Sequence, residues 1–177
     1  MQPPLVLTVI GADRPGLVEK VAQAVASHGG NWLESRMCRL GGQFAGIVRI
    51  LVPPDQRAAL TSALEGLAAQ GLEVAVYPDD RSAVLDVGPT LARLELVGQD
   101  RPGIVSQVAA ALAARGVNVE DLATECSSAP MSGETLFKAQ ARLRLPDHCD
   151  LAALQQDLER IAADLLVEIR LETLKTP

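Results

Sequence analysis

With 177 residues, 48 % of them hydrophobic but only 2 % aromatic, the chain has room for one or two small domains whose cores must be packed by Ala, Leu and Val. A formal net charge of −6 without any Lys/Arg block argues against direct nucleic-acid binding, and the scarcity of Trp32, Phe44, Tyr77 and Phe137 argues against a base-stacking platform. Three cysteines, Cys38, Cys126 and Cys149, without a Cys-x-x-Cys spacing argue against a disulfide framework or structural zinc, and the first apolar run is too short for a signal sequence or a membrane span, so a cytoplasmic protein is expected.

Residues 5–10 form a β-branched aliphatic run that predicts a strand. Gly11 to Arg14 predicts the turn after it, and Pro15 suits the first turn of a helix, where its missing N–H is no loss. Leu17, Val18, Val21, Ala22 and Val25 fall on one face at helical spacing, and Gly29-Gly30 ends that helix. Strands over 31–40 and 44–52 follow, separated by the hairpin signal Gly41-Gly42-Gln43. Pro53-Pro54-Asp55 opens a second helix, Gly71 closes it, and 72–77 is a fourth strand. The order is β-α-β-β-α-β.

The same order then recurs, because the sequence repeats itself. Gly11-Ala12-Asp13-Arg14-Pro15-Gly16-Leu17-Val18 returns as Gly98-Gln99-Asp100-Arg101-Pro102-Gly103-Ile104-Val105, and the ungapped match runs on to Asn31 and Asn118. Strands are expected over 91–97, 117–126, 134–145 and 166–171, with helices over 102–114 and from Leu151 through Ile161. Each copy therefore predicts an α+β, ferredoxin-like domain: a four-stranded antiparallel sheet with two helices on one face. The expected boundaries are a first domain over 1–78, a linker over 79–89 and a second domain over 90–177. The open sheet edges favour association, and a homodimer uniting four copies is the expected assembly.

The repeated loop has binding chemistry. It delivers the chain into a helix whose first N–H groups have no partner inside the helix, forming a small anion site suited to a carboxylate. Gly16 and Gly103 let a ligand approach the backbone, Asp13 and Asp100 can accept from an ammonium, and the amides of Asn31 and Asn118 offer donors and an acceptor. Together these groups describe a receptor for an α-amino acid. A structural alternative stands beside it: Asp13 and Asp100 as helix caps, Arg14 and Arg101 solvated or ion-paired, and the asparagines satisfying turns.

Gly-x-Asp-Arg-Pro-Gly-[Leu/Ile]-Val before a helix, with Gly-x-Asn at its end, resembles the ACT domain over essentially the whole chain in two copies. That resemblance implies a small-molecule sensor whose ligand, an amino acid and by the two-unit make-up glycine, sits near the first strand–helix loop. Carried over by position, the implied ligand residues are Asp13, Arg14, Pro15, Gly16, Leu17 and Asn31, with Asp100, Arg101, Pro102, Gly103, Ile104 and Asn118 in the second copy. The copies differ at Trp32 against Val119. They differ also in the longer second hairpin over 127–133, a lid or a partner-docking element by one reading and a disordered tip by the other.

Catalysis is not expected. His28 and His148 lack metal-ligand spacing, His148 and Cys149 are sequence neighbours rather than a nucleophile–base pair, and no nucleophile elbow, phosphate loop or dinucleotide fingerprint is present. No cofactor or metal is expected. Three functions compete: an amino-acid-responsive regulator of transcription acting through a DNA-binding partner, a regulatory subunit of an amino-acid or one-carbon metabolic enzyme, and an assembly module whose loops bind nothing.

Overall fold

The computed structural model describes residues 4–79, 90–128 and 135–174. The chain divides into two compact units, Met1–Ala83 and Val84–Pro177. The first runs β1 (Leu5–Ala12), α1 (Leu17–Ser27), β2 (Asn31–Leu40), β3 (Gln43–Leu51), α2 (Arg57–Glu65) and β4 (Leu72–Pro78), with a 3-10 turn on either side of α2. The second runs β5 (Thr90–Gln99), α3 (Ile104–Ala114), β6 (Asn118–Ser128), β7 (Thr135–Leu145), α4 (Leu151–Leu165) and β8 (Val167–Leu174). Both sheets are antiparallel, in the order β2-β3-β1-β4 and β6-β7-β5-β8, as a ferredoxin-like frame requires.

Strict alternation drives each sheet onto its helices. Leu5, Leu7 and Val9 of β1 and Val48 and Ile50 of β3 are buried in one cluster with Leu17, Val21 and Val25 of α1 and Leu60 and Leu64 of α2. The second core repeats the plan with Ala92, Leu94 and Leu96, Leu143 and Leu145, Ile104, Val108 and Leu112, and Leu154 and Leu158. The faces turned away from the helices differ. On the first, Val6, Ile10, Ile47 and Tyr77 share the exposed face with Glu34, Arg36, Glu73 and Arg49, whose Nε lies 2.7 Å from the Asp79 carboxylate. On the second, Glu120 accepts from Arg144 at 2.5 Å and Arg142 at 3.1 Å, Lys138 lies 3.5 Å from Glu125, and Arg170 faces Glu95 across the strands.

Two expectations need correction. Pro15 and Pro102 are not in the first helical turn: α1 and α3 begin at Leu17 and Ile104, behind Gly16 at φ 90° and Gly103 at φ 93°. A Pro-Gly pair with the glycine at φ 90°, ψ 1° has the signature of a type II turn, and this turn outcompetes the preference of proline for a helix start. Asp79 belongs to the first unit rather than to a linker, since its carboxylate accepts from Arg49 Nε at 2.7 Å and its N–H donates to the Pro4 carbonyl at 2.9 Å. The rest of the expected linker, 80–89, lies outside the described residues. So does most of the second hairpin, of which only Ser127 and Ser128, at the end of β6, are described.

Candidate functional site

The site is the loop between the first strand and first helix of each unit. Antiparallel pairing carries β1 up to Ala12 opposite Gln43, after which the Asp13 N–H donates to the Gly42 carbonyl at 2.9 Å and frees the chain to turn. The Asp100 N–H makes the equivalent bond to the Thr135 carbonyl at 2.9 Å. Behind the Pro-Gly turn neither helix has a side-chain cap. Asp13 and Asp100 are therefore not caps, and the first N–H groups of α1 and α3 lack the partner that Asp150 gives the Ala153 N–H of α4 at 3.0 Å.

The two loops hold their charges differently. In the first, Arg39 at the end of β2 reaches Asp13 with Nε 2.5 Å from the carboxylate. Arg14 donates to the Gln70 carbonyl and Lys20 to the Gln70 side-chain oxygen, tying this loop to the turn before β4. In the second, Arg101 donates to the Gln99 side chain at 3.2 Å. Cys126, paired with Phe137 as Arg39 is with Phe44, stands where the arginine would be, and no cation among the described residues is paired with Asp100. Arg39 and Gln70 were missed in the sequence. Only the strand alternation that puts Arg39 level with the loop could have flagged it.

Pro15 and Pro102 are exposed in their turns, whereas the side chains of Leu17 and Ile104 are buried in the cores and can present only backbone N–H groups to a ligand. The asparagines are not brought to the loops within a unit. Asn31 pairs with Leu51 and Asn118 with Arg144, at the Leu5 and Leu91 ends of the sheets, whereas the loops lie at the Ala12 and Gln99 ends. At about 3.3 Å per residue that is roughly 25 Å of strand. The asparagine therefore cannot complete the loop of its own unit: β2 starts where α1 finishes, one helix length away from where α1 began.

No cluster of three or more His, Cys, Asp or Glu side chains that could hold a metal occurs among the described residues, and no helix there is long and apolar enough to cross a membrane.

This frame, with a Gly-x-Asp-Arg-Pro-Gly loop at the head of each first helix, matches the ACT domain over residues 3–77 and again over 92–162. The chain belongs to the ACT domain family. Its two ACT units resemble a crystal structure of an unknown protein from Galdieria sulphuraria, with a TM-score of 0.87 and 32 % identity over 99 % of this chain and 100 % of that one. The sequence is also 24 % identical over 161 residues to the glycine cleavage system transcriptional repressor of Escherichia coli (strain K12), covering 91 % of this chain and 85 % of the repressor. It is 28 % identical over 174 residues to phosphoserine phosphatase SerB2 of Mycobacterium tuberculosis, where 95 % of this chain matches only 40 % of the enzyme.

Proposed function

We propose that this tandem ACT protein is a non-catalytic, cytoplasmic amino-acid sensor that modulates transcription through a protein partner, with glycine as ligand. The observation that carries the reading is the duplicated loop: an uncapped helix N-terminus for a carboxylate, with Asp13 or Asp100 beside it for an ammonium. Likeness to the glycine cleavage repressor over most of both chains supports glycine and transcription, and the net charge of −6 favours a DNA-binding protein over DNA as partner. Arg14, Pro15 and Gly16, with Arg101, Pro102 and Gly103, shape the loops, and Leu17 and Ile104 supply N–H groups. Asn31 and Asn118 lie too far from the loop of their own unit to contribute there, and the proposed assembly is a homodimer. A ligand that fits one arrangement of units better than another shifts their equilibrium by its differential affinity, and the partner reads that shift.

Thermal-shift titration tests sensing. A ligand at about 100 times its Kd stabilises the native state by about 2.7 kcal/mol, so glycine should raise the melting temperature in a concentration-dependent way. Asp13→Ala combined with Asp100→Ala should abolish the rise. No response to any amino acid overturns the reading.

The match to SerB2 favours a second reading, in which the chain regulates a separate amino-acid or one-carbon metabolic enzyme. Capture of partners from extract separates the two: a transcription factor supports the first, a metabolic enzyme the second.

A further inference from the structure

We propose that the sheet face of the first ACT unit turned away from its helices is the surface through which two copies of this chain dimerise, with the two-fold axis running along the strands between β1 and β3. This gives the homodimer proposed above its interface; it rests on that assembly, but not on the reading of the loops as ligand sites.

Strand pairing arranges the face in rows across the sheet. In its middle Thr8 of β1 pairs with Ile47 of β3, and Ile10 with Ala45. The first of these rows ends in Arg36 on β2 and Ala75 on β4, and the second in Cys38 and Glu73. Ile10 and Ile47 are 47 % and 56 % exposed. Formal charge in these rows stands only on the edge strands, a cation on β2 and an anion on β4. Arg49, one row further on, is already held by Asp79. An apolar centre within a polar rim is the anatomy of a protein interface.

The second unit carries polar groups where the first has none. Glu95 pairs with Gln140 at the place of Thr8 and Ile47, and Val97 with Lys138 at the place of Ile10 and Ala45. Burying that carboxylate, amide and ammonium would strip them of water, so of the two outer faces only the first suits a dry contact.

Size and charge also choose the symmetry. A two-fold axis in the plane of the interface can run across the strands or along them. Running across, through the Thr8–Ile47 row, it stacks Arg36 on the partner's Arg36 and Ile47 on the partner's Ile47, like charge on like charge and bulk on bulk. Running along, it lays the partner's β3 over β1 and the partner's β2 over β4. Ile47 then meets the partner's Thr8, and Ile10 the partner's Ala45, large against small, as interdigitating layers require. The partner's Arg36 comes over Ala75, two residues or about 7 Å from Glu73, within the span of an arginine side chain. Four strands of about eight residues present about 500 Å² in plan on each copy, and the relief of the side chains adds to it, so the pair clears the roughly 1,000 Å² of a specific interface.

Sedimentation equilibrium on the full chain should return twice the 18.7 kDa of one copy. Ile47→Arg sets a cation against the partner's Thr8 at two symmetric places, and should raise the dimer dissociation constant at least about a hundredfold while circular dichroism stays native. Gln140→Arg, at the matching place of the second unit, should leave the dimer intact. Isotope-filtered NMR on the unaltered protein, with one copy labelled, gives a second readout: the Ile47 methyls should contact Thr8 across the subunit boundary. A dimer that a folded Ile47→Arg protein keeps undiminished, or that Gln140→Arg dissociates instead, overturns the face and leaves the homodimer standing. Ile47 methyls that meet only each other across the boundary overturn the axis. A chain that is monomeric at every concentration overturns both the face and the homodimer.

Discussion

Gly16 and Gly103 hold their loops open by backbone conformation alone. An added Cβ would meet nothing closer than 3.8 Å at either place, yet φ of 90° and 93° is a region that L side chains rarely adopt. Gly16→Ala or Gly103→Ala should therefore cost about 1–2 kcal/mol without any clash, read as a lower denaturant midpoint. Gly66→Ala is the control: it sits in open space at φ −60°, so alanine there should be neutral or stabilising by up to about 1 kcal/mol. At this scale the sequence was informative but ambiguous. The Pro15-Gly16 pair carries both a helix-start and a turn signal, and only the left-handed glycine decides between them. Whether Asp13 caps, binds or pairs could not be read either, because its partner Arg39 is set by strand pairing rather than by sequence distance.

Among the elements, α4 owes its place to two distinct devices. Asp150 caps it, and Arg115, at the end of α3, binds Asp157 on its outer side at 2.6 Å. The Arg115 hydrogen bond, with further help from Arg160, holds the Asp157 carboxyl below its ordinary value. A carboxylate whose folded value is depressed adds stability above its unfolded value, about 3.9, and loses it as the pH falls through the folded one. Asp157→Asn should thus lower the denaturant midpoint of the second unit at neutral pH, and the difference from the unaltered protein should close below about pH 4. Alternation and helical spacing made nearly every element legible, since burial on one face imposes them. The register was not legible. Bulges at Trp32/Glu34 and Val119/Asp121 depend on the neighbouring strand, and it is register that sends Asn31 and Asn118 to the far end from Asp13 and Asp100.

For the molecule as a whole, duplication was the plainest signal in the sequence, and the frame it implies recurs strand for strand. The divergence of the copies was much harder to see. Trp32 against Val119 is visible in an alignment of the halves. By contrast, Met37 over Gly46 against Thr124 over Ala139 emerges only once strands are paired. The outer sheet faces diverge in the same hidden manner, the first mixing exposed apolar residues with the Arg49–Asp79 pair and the second carrying a denser set of ion pairs among the described residues. Ion pairs of this exposed kind are worth about 0–1 kcal/mol each, and at an ionic strength of about 1 M the Debye length shrinks to about 3 Å. Sulfate also strengthens apolar association by its exclusion from protein surfaces. Hydrogen exchange followed unit by unit in rising sodium sulfate should show protection climbing in both ACT units, and climbing less in the second, where screened ion pairs offset part of the gain. Brine thus tightens the two halves of the protein unequally.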